Sequence, residues 1–428
     1  MVKQSQHIHS TINALYKQES GKMISVLIKI FGTENIELAE DVIQDAMLVA
    51  LEKWDKNGLP ENPTAWLYRV AKNKAIDIVR RKKHSKTIDF SDPERKLLSS
   101  EYTLSSTMDA LWQEHQIEDN FLAMMYACCH PELSSENQIT FILKSLCGFS
   151  THEIAKAFLT SEDTVSKRIY RTKSYFRKHK IKPQIPTLEE IKPRTKSVLH
   201  TLYLMFNEGY NSSHSNALIR KDIISNAIFL TKALLEHEES QLPEAYALLA
   251  LMYFHTSRIE GRTNVLGHLI TLKHQDRSVW DQELMVLGNY YMNKAAFGSH
   301  LTAYHLEAAI AYEHCTAPAY NKTNWKNIIN YYDILYQLNH DPVVYLNRCL
   351  VILELYGPFK ALKELDHISG DPFLQKYYLY YAIKGSIYEQ MNLPQQAILD
   401  FEKAMTLTKS NPELSLLQEK LINLRKPQ

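Results

Sequence analysis

The sequence is poor in glycine and has no long apolar run, and both absences restrict what it can encode. Only 12 of its 428 residues are glycine, while Leu, Ala, Lys, Glu and Tyr are common, and this balance favours an all-α fold. No apolar stretch is long enough to cross a membrane, and the polar N-terminus lacks the apolar core of a signal peptide. We therefore expect a cytoplasmic protein of two or three helical domains, since the chain is too long for a single core.

Cysteine is also scarce. Five cysteines are present, without a CxxC pair or a regular spacing, which argues against a disulfide scaffold and for a reducing compartment. Cys128, Cys129, His130 and Cys147 form the one group with the composition of a metal site. Adjacent cysteines are poor ligands for a tetrahedral ion, and small thiols are common in cores, so we expect neither a metal nor a cofactor.

The usual motifs of enzymes are missing as well. The sequence contains no H-E-x-x-H, no G-x-S-x-G, no phosphate-cradling glycine loop and no dinucleotide fingerprint. Glu208, in the stretch FNEGY, is an isolated carboxylate for which a structural corner is the simpler interpretation. We expect that the protein is not an enzyme.

Charge is balanced overall but unevenly distributed. The chain has 49 Lys and Arg against 48 Asp and Glu, yet its basic clusters all precede Lys182 and the remainder is mildly acidic. Such asymmetry predicts a front part that binds nucleic acid, joined to a part that does not.

The front part begins with a predicted helical bundle over residues 7–84. Apolar periodicity indicates amphipathic helices at about 9–30 and 35–54. The second of these has an acidic outer edge formed by Glu40, Asp41, Gln44 and Asp45. The loop DKNGLPE follows over 55–61 and leads to a third helix, NPTAWLYRVAKNKAIDIVRRKK, which Asn62 is expected to cap.

The third helix carries an apolar stripe and a basic face. The stripe consists of Trp66, Leu67, Val70, Ala71, Ala75, Ile78 and Val79, and the opposite side consists of Arg69, Lys72, Asn73, Arg80 and Lys83. From Arg69 to Lys86, eight Lys and Arg stand against the single Asp77. This balance suits a phosphate backbone, although a basic helix taken alone is more often a solvated face. Trp66 lies on the packing stripe, whereas Tyr68 is the freer aromatic for stacking on unpaired bases.

A polar linker over 85–120, with a short helix near 108–115, is expected to lead to a second unit over 121–182. In that unit Ser150 and Glu153 form a capping box for a short helix that ends near Phe158. Leu159 and Thr160 then form a turn, and a second helix, capped by Thr160 or Ser161, runs to about His179. A short helix, a brief turn and a longer helix is the spacing of a helix-turn-helix.

The second helix of this motif has the composition of a recognition helix. Val165, Ile169 and Phe176 are expected to pack inward. Outward side chains near its start are placed to reach base edges, namely Ser166, Lys167, Arg168 and Arg171, and later cations are placed to contact phosphates, namely Lys173, Arg177 and Lys178. The alternative is a helical hairpin with a merely solvated basic face.

A second linker, with prolines, is expected over 182–196, followed by a C-terminal helical domain over 197–428. Gly385, Tyr388, Ala397, Phe401 and Ala404 follow the spacing of a tetratricopeptide repeat. This pattern predicts a stack of helical hairpins with a concave surface, and a plain helical bundle is the alternative.

Three stretches, LAEDVIQDAMLVALEKW, NPTAWLYRVAKNKAIDIVRR and FSTHEIAKAFLTSEDTVSKRIYRTKSYFRK, resemble in this order regions 2 and 4 of bacterial sigma factors of the extracytoplasmic-function class. The long tail with LYLMFNEGY resembles the subgroup that has a C-terminal repeat-like extension. The resemblance implies that core RNA polymerase and promoter DNA are the partners. It also implies that the tail is regulatory, with an unknown ligand or protein partner.

The resemblance also implies roles for particular residues. Asp41, Gln44 and Asp45 match the edge that docks on polymerase, and the loop over 57–62 matches the one that captures a flipped base. The residues expected to contact DNA near the −10 element are Asn62, Tyr68, Arg69, Lys72, Asn73, Arg80 and Arg81. Those expected at the −35 element are Thr164, Ser166, Lys167, Arg168 and Arg171.

Two other functions fit the same residues. A ligand- or peptide-sensing regulator would bind its operator through the helix-turn-helix and would use the front bundle to dimerise. Such a regulator binds DNA alone, whereas a sigma factor needs core polymerase, so DNA binding without polymerase separates the two. A scaffold whose basic faces are only solvated would show no DNA binding at any salt concentration.

Overall fold

The computed structural model describes residues 2–82, 88–91, 93–158, 160–211, 219–264, 268–408 and 410–425. Over these residues the fold is all-α, as predicted, and contains no strand. The helices are α1 Val2–Phe31, α2 Ile36–Asn57, α3 Pro63–Lys82, α4 Pro93–Lys96, α5 Glu101–Leu111, α6 Glu114–Cys128, α7 Ser135–Ser145, α8 Thr151–Ala157, α9 Glu162–His179, α10 Leu188–Tyr210, α11 Lys221–Glu236, α12 Pro243–Ser257, α13 Gln282–Lys294, α14 Ala303–Thr316, α15 Trp325–Asn339, α16 Pro342–Tyr356, α17 Pro358–Asp366, α18 Tyr378–Gln390, α19 Pro394–Leu407 and α20 Asn411–Arg425. Within the described ranges, no helix is long and apolar enough to span a bilayer.

The helices group into two compact units. The first comprises Met1–Met205 with Glu236–Ser240, and the second comprises Phe206–Leu235 with Gln241–Gln428. The division falls inside α10. Each unit has its own buried apolar core, as expected for a chain of this length.

In the first unit, α1, α2 and α3 pack against one another. The apolar stripe predicted for α3 supplies its buried residues, Leu67, Ala71, Ala75 and Val79. Their i, i+4 spacing places them on one side of the helix, facing buried residues of α1 and α2 such as Trp54. Lys83, which we predicted on the basic face, and the bundle's predicted end at residue 84 lie outside the described residues.

The segment over 85–120 is more helical than its weak periodicity predicts. It contains α5 and the start of α6, where a short helix near 108–115 was expected. Leu104 and Met108, one turn apart on α5, are buried, and α5 packs against α3. Burial of this pair stabilises a helix most of whose other side chains are polar.

The helix-turn-helix is formed by α8 and α9, packed on α7. Ser150 and Glu153 make the predicted capping box, since the Ser150 amide donates to the Glu153 carboxylate at 2.7 Å and the Glu153 amide donates to the Ser150 hydroxyl at 3.1 Å. Ser161 caps α9 through the Thr164 amide at 3.2 Å. Val165 and Phe176 are buried as predicted, whereas Ile169 is half-buried. Leu159, predicted in the turn, lies outside the described residues.

The proline-containing connection after α9 is shorter than the predicted 182–196, because α10 begins at Leu188 and includes Pro193. Ile191 and Thr195 of this helix are buried in the first unit. The Thr195 hydroxyl lies 3.1 Å from the Tyr126 hydroxyl, which is also 2.9 Å from Ser240 Oγ. Tertiary packing therefore outweighs the loss of the one backbone hydrogen bond that a proline cannot donate.

In the second unit, helices consecutive in the chain pack in pairs, α12 with α13 and α18 with α19. Each pair has a glycine against a phenylalanine ring. A Cβ on Gly288 would lie 2.7 Å from the ring of Phe254, and a Cβ on Gly385 would lie 2.8 Å from the ring of Phe401. Only glycine permits helices to approach this closely.

Candidate nucleic-acid interface

The acidic edge of α2 is divided between two environments. Asp41, Gln44 and Asp45 are exposed, and of these Asp45 reaches a neighbouring cation, Lys74, at 3.2 Å. Glu40, which was predicted on this edge, and Glu37, one turn before Asp41, pair with cations of α9. The residues predicted to dock on polymerase are therefore the part of the edge that faces solvent.

Two cations predicted to contact phosphates instead meet this edge. Lys173 Nζ lies 2.5 Å from Glu40 Oε2, and Arg177 Nη2 lies 2.7 Å from Glu37 Oε1. The Lys173–Glu40 pair is mostly buried, whereas the Arg177–Glu37 pair is about half-exposed. The last turns of α9 therefore form ion pairs with α2, and the start of α9 is exposed.

The start of α9 presents the predicted base-reading residues. Ser166, Lys167 and Arg171 are exposed, and Lys167 forms an exposed pair with Asp163 at 2.7 Å, which contributes little. Thr164 and Arg168 are half-buried. The Thr164 hydroxyl lies 2.9 Å from the Ser161 hydroxyl, and the Arg168 guanidinium lies over the Phe158 ring at 5.5 Å. Arg168 is therefore held closer to the domain than its neighbours.

Asn62 caps the start of α3. Its side-chain oxygen accepts from the Ala65 amide at 2.9 Å, which confirms the predicted cap. Arg69 and Asn73 are exposed, and Arg81 donates to the Asp77 carbonyl at 3.3 Å. The predicted basic face is therefore present at the surface of α3.

Carboxylates of α5 cover part of this basic face. Lys72 Nζ lies 2.6 Å from Asp109 Oδ1, and Arg80 Nε lies 3.2 Å from Glu101 Oε2. Glu101 and Asp109 are eight residues apart on a helix, so both lie on the face directed at α3. Glu101 and Asp109 were not predicted as part of the site. Their i, i+8 spacing would have placed them on one face if this segment had been predicted to be helical.

The sequence predicts the packing of Trp66 on α3 correctly, but not that of Tyr68. Trp66 is half-buried with its ring against Trp54 at 5.3 Å, as the stripe predicts. Tyr68 is not the freer aromatic, because its hydroxyl donates to Glu19 at 2.5 Å and its ring packs on Trp112 at 5.7 Å. Burial, and then the Glu19 carboxylate, raise the pKa of Tyr68 well above its ordinary value. The residues that contact Tyr68 are distant from it in the chain, so helical periodicity does not predict these contacts.

A cavity of about 280 Å³ adjoins Tyr68 and Asn62. Its wall includes three carboxylates, Glu19, Glu114 and Glu118. Burial is the main reason why the pKa of Glu118 is raised. Hydrogen-bond acceptors beside an aromatic ring are suited to a ligand with amino groups on a flat ring.

The cysteine-rich group has ordinary core packing. Cys128, Cys129 and Cys147 are buried free thiols, and burial raises the pKa of Cys129 and of Cys147 to about 12. The His130 ring is hydrogen-bonded to the Tyr175 hydroxyl at 2.9 Å. Over the described ranges, no group of three or more metal-ligating side chains is arranged to hold an ion.

The segments that contain α2 and α3, and α8 and α9, match models of one protein family. Residues 15–85 match Sigma-70 region 2, and residues 123–175 match Sigma-70, region 4. The chain therefore carries the two promoter-recognition regions of the sigma-70 family. Residues 194–296 match a family of unknown function, DUF6596.

One relative spans almost the whole chain. This protein is 30% identical over 401 residues to the uncharacterized protein R00370 of Rhizobium meliloti (strain 1021), and the match covers 94% of this chain and 93% of the relative. The two proteins belong to the same family. No solved structure matches the chain significantly.

Proposed function

We propose that this protein is a sigma factor of the extracytoplasmic-function class, which binds core RNA polymerase and directs it to promoters. The observation that carries the proposal is the pairing of region 2 and region 4 in one chain, with an exposed basic recognition helix and an exposed carboxylate edge. Neither DNA-binding surface explains the carboxylate edge, whereas a protein partner does. Transcription in vitro from a cognate promoter, by core polymerase with and without the full chain, tests the proposal. Promoter binding by this chain in the absence of polymerase would favour the operator-binding regulator instead.

The start of α9 reads the upstream element in this proposal. Arg171 is exposed about two turns after Thr164, where a side chain entering the major groove meets base edges. We expect Arg171→Ala to weaken holoenzyme binding to the upstream element about 5- to 150-fold and to relax its sequence preference, since a base contact contributes about 1–3 kcal/mol. Footprinting on the cognate element and on single-base variants measures both effects.

The matched control is Lys178→Ala, an exposed cation late in the same helix. Loss of a phosphate contact should weaken binding equally on all sequences and reduce its salt dependence. If footprints of Arg171→Ala are unchanged on every element, Arg171 does not belong to the site.

The basic face of α3 and the adjoining cavity hold the downstream element in this proposal. A base released from the stack would enter the cavity beside Asn62 and Tyr68, where the Glu19, Glu114 and Glu118 carboxylates accept from amino groups such as those of adenine or cytosine. Arg69, Lys72, Asn73, Arg80 and Arg81 would follow the backbone on either side.

The α5 carboxylates on Lys72 and Arg80 compete with phosphates for these cations. We expect the double substitution Glu101→Gln, Asp109→Asn to raise the affinity of the holoenzyme for single-stranded downstream element about three- to tenfold, because each exposed ion pair contributes roughly 0.2–1 kcal/mol. Fluorescence anisotropy at several salt concentrations measures this. Glu52→Gln, Asp55→Asn removes two exposed charges of α2 and should have much less effect. Equal gains in both double variants would mean that only net charge matters.

The C-terminal part is proposed to be a regulatory domain of stacked, tetratricopeptide-like hairpins. The packing of consecutive helices in pairs, α12 with α13 and α18 with α19, supports a stack of hairpins. The domain bounds of 7–84, 121–182 and 197–428 remain predictions from the sequence.

A further inference from the structure

Three arginines, Arg258, Arg262 and Arg277, are gathered in the second unit. Arg258 and Arg262 are 8% and 7% exposed, and Arg277 is half-buried. Among the described residues, none of the three forms an ion pair with a carboxylate. A buried cation is costly unless an anion or several acceptors compensate it, so each guanidinium requires an explanation.

A backbone carbonyl and a side-chain oxygen accept from Arg262, and two backbone carbonyls accept from one nitrogen of Arg277. Arg262 donates to the Tyr210 carbonyl and, at 2.6 Å, to Asn211 Oδ1, and it lies over the Tyr210 ring at 3.7 Å. Arg277 Nη1 donates to the carbonyls of His314 and Ala317 at 2.6 and 2.9 Å. These contacts leave one side of the Arg277 guanidinium unused.

Buried donors remain without acceptors around Trp280. The guanidinium groups of Arg277 and Arg258 lie 4.4 and 5.5 Å from the centre of its ring. Arg277 Nη2, Arg258 Nε and Trp280 Nε1 are all buried, and within the described part of the chain each has no hydrogen-bond partner. Unsatisfied buried donors are rare in native proteins, and three of them are gathered here.

Burial and the neighbouring arginines lower the pKa of two nearby histidines. Burial, and then Arg258 and Arg277, lower the pKa of His314 to about 3. Burial, and then Arg258 and Arg262, lower the pKa of His255 well below its ordinary value. Both imidazoles are therefore neutral at physiological pH, and the positive charge of the cluster lies on the arginines.

A cavity of about 590 Å³ lies against this cluster. Arg277 and Trp280 form part of its wall, and Gln282, Asn289 and Thr316 add side chains that can donate hydrogen bonds. Tyr312 and several apolar side chains complete the wall, and no carboxylate of the described residues lines it. The volume falls in the range of small-molecule sites, which are mostly apolar with a few directed polar groups.

We propose that this cavity binds a small organic anion, a carboxylate or phosphate group on an apolar or aromatic body. Arg277, in the cavity wall, binds the anion through its guanidinium charge, Arg258 stabilises it through its own charge, and Trp280 and Tyr312 contact the body. Guanidinium groups are the side chains best matched to the planar or trigonal oxygens of such anions. This site goes beyond the proposed function, because promoter recognition requires no small ligand.

Calorimetric titration of the full chain with phenyl phosphate and with benzoate tests the proposal and separates the two anion types. At least one probe should bind and raise the thermal midpoint of the protein. Arg277→Gln should weaken that binding at least tenfold, and Arg277→Lys should restore part of it. Arg348→Gln is the control, because Arg348 already pairs with Asp333 and Glu364 and should leave the affinity unchanged.

A second variant keeps the test valid if Arg277→Gln does not fold. Val286 lines the cavity and is 69% exposed, so Val286→Asp should fold normally and place a carboxylate where the anion binds. Binding should again fall at least tenfold, whereas Leu399→Asp, at a site 67% exposed on α19, should have no effect. Absence of binding by both probes at millimolar concentration overturns the proposal. It is also overturned by binding that Val286→Asp leaves intact, which would place the anion outside this cavity.

Discussion

Replacement of Asp41 and Asp45 by lysine is expected to abolish binding to core RNA polymerase while leaving the fold intact. Both side chains are exposed on α2, and neither is needed by the core beneath them. The double substitution removes the Asp45–Lys74 ion pair, which is 3.2 Å long with Asp45 61% exposed and therefore contributes little to stability. Reversal of both charges turns attraction to a basic partner surface into repulsion, so we expect affinity to fall at least about 100-fold.

Co-elution with core enzyme and anisotropy of labelled protein measure this fall in affinity. The matched control is Glu52→Lys, Asp55→Lys, which reverses two exposed acids of the same helix nearer its C-terminus. Thermal unfolding of both double variants should resemble that of the parent. If the Asp41, Asp45 variant still co-elutes with core polymerase, the docking assignment is wrong even if promoter recognition by the other surfaces stands.

Gly21→Ala is expected to destabilise the first unit by about 1–3 kcal/mol. A Cβ at this position of α1 would lie 1.7 Å from the Leu146 carbonyl oxygen and 2.6 Å from its carbonyl carbon. Because the obstacle is backbone, α1 must move away from the end of α7, and overpacking of this kind typically costs about 1–3 kcal/mol. The gain in helix propensity from Gly to Ala, up to about 1 kcal/mol, partly offsets this cost.

Denaturant unfolding followed by circular dichroism measures the change. Gly370→Ala is the control, since a Cβ there meets no atom within 4 Å, and we expect almost no effect. Unchanged stability of Gly21→Ala would contradict the close packing of α1 on Leu146.

The helices and their inward faces follow from the sequence because both depend on neighbours three or four residues away. The α3 stripe of Leu67, Ala71, Ala75 and Val79 and the caps at Asn62, Ser150 and Ser161 lie where local patterns predict them. Such patterns work even without a tertiary context, since backbone geometry alone determines which side chains share a face.

Local patterns mislead where a distant residue supplies the partner. Tyr68 was expected to be free, yet Glu19 and Trp112 hold it. The segment over 85–120 was expected to be mainly a linker, yet burial of Leu104 and Met108 makes it helical. In each case the deciding contact joins segments that sequence spacing does not relate.

The sequence by itself therefore determined the all-α fold, the two basic helices, their caps and the exposure of Asp41, Gln44 and Asp45, because helical periodicity and composition encode these directly. Only the tertiary structure decided which charges meet. Lys173 and Arg177 pair with Glu40 and Glu37, and Arg258 and Arg277 converge on the ring of Trp280. An acidic face can pair with any basic face, so helical periodicity does not reveal which charged residues form ion pairs. The packing of helices that are far apart in the chain decides this.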